Sequence, residues 1–119
     1  MVNVDTHILV FALTGEVTDR ERRVLASNTW SVSAIVFWEL AKLAQVGRID
    51  IDLDDAELTR TLSGIHVWPV DLAVSIQSSR LDFKSDPADE LIAATSIIHQ
   101  VPLLTRDRRI KGSRLVKFA

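Results

Sequence analysis

Cysteine is absent from this 119-residue chain. That removes disulfide staples, thiolate nucleophiles and cysteine-based zinc sites, and a reducing cytosol suits such a chain. Glycine is scarce, at four residues, so neither a Walker phosphate loop nor a dinucleotide fingerprint can be built. No apolar stretch approaches the roughly 20 residues that a membrane helix needs. The first residues also lack the basic segment and small-residue cleavage site of a secretory signal. The expectation is a cytoplasmic protein with no membrane association. Neither charge sign is in large excess: the formal net charge is −2, so the surface as a whole does not attract polyanions. There is no G-x-S-x-G elbow and no H-E-x-x-H pair, and His7, His66 and His99 lack ligand spacing.

What is present is ordinary globular composition, 47% hydrophobic and 25% charged. A chain of this length forms one domain, here residues 1–119, and buries roughly two-thirds of its unfolded surface. Short β-type runs alternate with helical ones. Val2–Asp5, Trp30–Val32, His66–Val70, Val101–Thr105 and Leu115–Phe118 read as strands. Pro69 makes the third of these short or places it at an edge. Helical stretches begin at Thr6, at the Thr18/Glu21 capping box, at Ser33, at Asp54, at Asp71 and at Asp86-Pro87. Strand–helix alternation with short loops predicts a three-layer α/β/α sandwich around a mostly parallel sheet.

Ligand-binding residues in such a sheet collect outside the carboxyl ends of the strands. Four acids occupy that zone: Asp5, Glu39, Asp89 and Asp107. Taken singly, each has a structural explanation. Asp5 suits a helix cap. Glu39 could face water or pair with Lys42, although it shares a helix face with Ile35, Val36 and Leu43 and is expected to be buried. Asp89 stands in a first turn, where negative charge is favoured, and Asp107 could be a cap acid salted by its arginine neighbours. Asp86 is assigned to capping. Taken together, the four suit a Mg²⁺ or Mn²⁺ site, because hard cations take oxygen ligands and need only a few carboxylates beside water and phosphate. Such an ion points to metal-assisted hydrolysis. Thr105 is placed to orient a carboxylate through its hydroxyl, and Thr6, next to Asp5, is assigned the same supporting role. From Arg106 onward the chain is basic, and Arg106 and Arg108 are candidates for phosphate contact.

The segments Val4-Asp5-Thr6-His7, Ser33 to Lys42 with Gly47-Arg48-Ile49, Asp86 to Thr95, and Pro102 to Asp107 occur in this order across nearly the whole chain. In that order they resemble the PIN-domain ribonucleases, specifically the toxins of type II (VapBC) toxin–antitoxin pairs. The resemblance implies a five-stranded parallel sheet between helices and a metal-dependent endoribonuclease acting on RNA. Its metal-binding acids carry over onto Asp5, Glu39, Asp89 and Asp107, and its hydroxyl onto Thr105. It also implies a homodimer, and an antitoxin that blocks the site.

Two other functions fit the layout. A phospho-acceptor signalling domain has comparable length and winding, but usually shows two adjacent acids after the first strand and Lys-Pro after the fifth; this chain has Asn3-Val4-Asp5 and Lys117-Phe118. A catalytically silent partner-binding domain is the third, and an intact acid set argues against it.

Overall fold

The computed structural model describes all residues, 1–119. Eleven elements follow one another: β1 (Val2–Val4), α1 (Thr6–Thr14), α2 (Asp19–Ala26), β2 (Trp30–Ser33), α3 (Ala34–Gln45), α4 (Ala56–Ser63), β3 (His66–Trp68), α5 (Leu72–Ser78), α6 (Pro87–His99), β4 (Leu103–Leu104) and α7 (Arg108–Lys111). All strand pairs are parallel, in the order β3-β2-β1-β4. The chain winds outward from β1 through β2 to β3, then passes back over the sheet to place β4 on the other side of β1. β1 and β4 therefore flank the switch point, where the carboxyl ends of neighbouring strands open into a crevice.

Every residue of β1 and β4 is buried, as are Ser31, Val32 and Ser33 of β2. Successive side chains point to opposite faces, so both faces of the sheet are covered. Val2, Val4, Val32, Leu103 and Leu104 meet Ile8, Leu9, Val36, Leu40, Ile92 and Ile110 in one core. Asn3 is one of the buried polar residues of the sheet. It is fully buried, and its Nδ2 donates to Ser96 Oγ at 2.9 Å, with a weaker contact to the Ile92 carbonyl at 3.4 Å. This bond pins β1, which leads to Asp5, against α6, which carries Asp89.

Most sequence-based boundaries hold to within a residue or two. The α4 cap is Asp55 rather than Asp54: the Asp55 side chain accepts from Glu57 N–H at 2.8 Å and from Leu58 N–H at 3.4 Å. The sheet has four strands, which corrects the expectation of five. Leu115–Phe118 adds only an isolated bridge between Phe118 and Leu103. The Leu115 and Val116 amides donate to Ser113 Oγ, so this part of the segment forms a turn. Helix α7 is unanticipated. No helix is long and apolar enough to cross a membrane.

Candidate active site

Asp5 ends β1 and caps α1. It is 2% exposed, and both its oxygens are engaged. Oδ1 accepts from Thr6 N–H at 2.7 Å, and Oδ2 accepts from the Thr105 hydroxyl at 2.6 Å. Thr105 follows β4, so this bond crosses the switch point from one strand end to the other. The same Thr105 oxygen accepts from Asp107 N–H at 3.0 Å, and Asp107 in turn caps α7 through Arg109 N–H and Ile110 N–H. Asp5 and Asp107 line a cleft of about 270 Å³ together with His7, Phe11 and Arg106.

Glu39 reaches the group from α3. Its Oε1 accepts from the Thr6 hydroxyl at 2.5 Å, so Thr6 links Asp5 and Glu39 through its backbone and its side chain. The residue is half-buried, as its helical phase predicted. Lys42 turns away: its Nζ lies 5.9 Å from the Trp38 ring centre and 3.2 Å from Gln45 Oε1. Asp89 enters from the first turn of α6, where the Ser85 hydroxyl donates to Oδ2 at 3.0 Å.

These acids perturb one another. Burial pushes the Asp5 carboxyl up, opposed by the Thr105 and Thr6 bonds, with Asp107 adding repulsion. Burial likewise raises Glu39, with Asp5 and Asp86 contributing. Asp89 is pushed up to about 6, first by burial and then by the charges of Asp5, Asp107 and Glu39, against the lowering effect of Ser85. No lysine or arginine offsets them, because the protein's ion pairs are Arg22–Asp19 and Arg106–Glu21. The acids do not close on one coordination sphere of three in this structure. Donor type and uncompensated charge still fit a hard divalent cation, which keeps part of its water shell.

Three side chains stand differently from their sequence assignments or escaped them. Asp86 sits at the α6 cap position but makes no side-chain cap bond. Its carboxylate instead adds to the field on Glu39, which corrects the assignment to capping. Ser85 lies in the loop before α6, and no sequence pattern marks it as the Asp89 partner. Arg106 lines the cleft but is held by Glu21, whereas Arg108 is exposed and free of side-chain partners.

A PIN domain family model matches residues 2–113. The chain belongs to the PIN domain family. Among curated relatives, this PIN domain is 36% identical over 88 residues to ribonuclease VapC22 of Mycobacterium tuberculosis, covering 71% of this chain and 67% of that protein. Among solved structures, a toxin–antitoxin complex from Klebsiella pneumoniae superposes with a TM-score of 0.76 at 19% identity, covering 98% of this chain and 95% of that one. VapBC2 from Rickettsia felis, solved with a DNA fragment from its promoter, gives 0.74 at 21% identity, covering 100% and 98%. At that identity these two likenesses show the fold alone.

Two stability measurements follow from this PIN domain's site. Asp86→Ala is expected to cost less than about 0.5 kcal/mol, whereas Asp55→Ala, which removes a working cap, costs about 1 kcal/mol. Equal losses in urea denaturation would restore Asp86 as a cap. For Asp89, the folded state holds a proton that the unfolded chain releases between pH 3.8 and about 6. Without metal, stability from this group therefore falls as pH rises through that window. Asp89→Asn should then stabilise the metal-free protein above pH ~6.5 and leave it unchanged below pH ~4. A gain of the same size at both ends would show that charge is not the cause.

Proposed function

We propose that this PIN domain is a Mg²⁺- or Mn²⁺-dependent endoribonuclease, the toxin of a type II toxin–antitoxin pair. What supports this reading is that Asp5, Glu39, Asp89 and Asp107 lie near enough to repel one another, with no lysine or arginine paired to any of them. Such charge repels RNA phosphate unless a cation stands between them. The relative named as a ribonuclease and the structural neighbours described as toxin–antitoxin complexes support the same reading.

In this account Asp5, Glu39, Asp89 and Asp107 would hold the ion. When bound, it neutralises phosphate charge and lowers the pKa of the attacking water. Thr105 holds Asp5 from one side. Thr6 holds Glu39, so the carboxylates keep their orientation before substrate arrives. Ser85 does the same for Asp89. Arg106, with Arg108 at the start of α7, offers cationic contacts to the flanking phosphates.

The partners we propose are RNA, a second copy of the chain in a homodimer, and an antitoxin. An inhibitor fitting this crevice would present a guanidinium, which pairs bidentately with carboxylate. Work in the cytoplasm is part of the proposal, and it agrees with a chain that has no cysteine. PIN family membership sets aside the phospho-acceptor alternative.

RNA cleavage with Mg²⁺ or Mn²⁺ tests the reading. Asp5→Asn should abolish cleavage while the far-UV spectrum stays native. Thr105→Val should lower activity about 10- to 100-fold, as for other groups that orient a ligand. A folded Asp5→Asn protein with full activity would remove the cluster from the reaction.

A further inference from the structure

Arg106 is the one arginine or lysine lining the acidic cleft, yet it does not fall onto the carboxylates beside it. A mobile guanidinium lining the same cleft as Asp5 and Asp107 would be expected to pair with them, since a carboxylate is its preferred partner. Glu21, on α2, prevents this. Arg106 Nε donates to Glu21 Oε2 at 2.7 Å, and Nη2 donates to Oε1 at 2.6 Å. Nη2 also donates to the Glu16 carbonyl at 3.2 Å. The guanidinium carbon lies 4.0 Å from the centre of the Phe11 ring, in stacking range. Nη1 alone keeps its donors free of any protein acceptor.

Glu21 is built to hold this contact. Its side chain is 8% exposed, whereas that of Arg106 is 39% exposed. Glu21 is itself fixed by the Thr18 N–H, which donates to Oε1 at 2.9 Å in the α2 capping box. Arg106 holds the Glu21 carboxyl well down, at about 2, so the pair stays ionised across the working pH range.

We propose that Glu21 is a positioning residue for the substrate, holding Arg106 on the cleft wall as a preformed phosphate contact and keeping it off the carboxylates. The proposal rests on the ribonuclease reading and extends it to a residue outside the acid cluster. Without Glu21, Arg106 keeps its charge and loses its place. Each RNA molecule must then order a long side chain anew.

Cleavage of a labelled single-stranded RNA, followed as KM and kcat over a series of NaCl concentrations at fixed Mg²⁺, provides the test, with melting temperature recorded for each protein. Glu21→Gln should raise KM about 2- to 12-fold, the cost of immobilising one such side chain, with kcat and the salt dependence unchanged. Arg106→Gln should lower the slope of log KM against log salt by about 0.7, the value for one single-strand phosphate contact. Arg106→Lys should keep the wild-type slope, and with Glu21→Gln it decides the matter if Arg106→Gln does not fold. A Glu21→Gln protein with lower melting temperature but wild-type KM would make the ion pair a mere strut and overturn the proposal. An unchanged slope in folded Arg106→Gln would overturn it as well. A wild-type protein that cuts no RNA would overturn the ribonuclease reading and this proposal with it, whereas failure in the variants alone leaves that reading intact.

Discussion

Repulsion among carboxylates that have no lysine or arginine paired to them is the constraint on which the rest of this PIN domain depends. The fold tolerates it with dipoles in place of cations. Asp5 caps α1, and Asp89 lies in the first turn of α6, so the positive ends of two helices face the cluster. Backbone N–H groups and the hydroxyls of Thr6, Ser85 and Thr105 take the remaining load. Hydrogen bonds of this kind orient a carboxylate without neutralising it, and burial, with the neighbouring charges added, still raises Asp89 to about 6. In the proposed reading, internal ion pairs at these acids would compete with a divalent ion for the same oxygens.

The one arginine within the cleft is consistent with this arrangement. Glu21 ties Arg106 by two short bonds, so positive charge lies beside the acids without cancelling them. The same bonds connect α2 to the segment carrying Thr105 and Asp107, which lies 85 residues away in sequence. Local helix chemistry at Thr18 and Glu21 is thereby coupled to the geometry of the strand end that bears Thr105 and Asp107.

Features with a local cause were legible in the sequence. Parallel strands ending at Asp5 and near Asp107 followed from apolar runs and their terminators, and the α6 start followed from Asp86-Pro87. Glu39 was expected on a buried face because its helical neighbours are apolar, and it is half-buried. Long-range contacts were not legible in the same way. Nothing local to Thr6 announces a bond to a residue 33 positions away, nor does Asn3 announce its bond to Ser96. The Asp86 assignment failed because residue type and position define a cap only statistically, while the bond depends on a rotamer. The expected fifth strand is reduced to one bridge at Phe118, because Leu115 and Val116 turn their amides to the Ser113 hydroxyl.

The central claim is that the four acids form a divalent-cation site, and a crystal of the protein grown with Mn²⁺ tests it most directly. An anomalous difference map should place Mn²⁺ among Asp5, Glu39, Asp89 and Asp107, with Asp5 and Asp89 as direct or water-mediated ligands and Thr105 still bonded to Asp5. Mn²⁺ bound at another part of the surface, with this cluster empty at saturating concentration, would contradict the account.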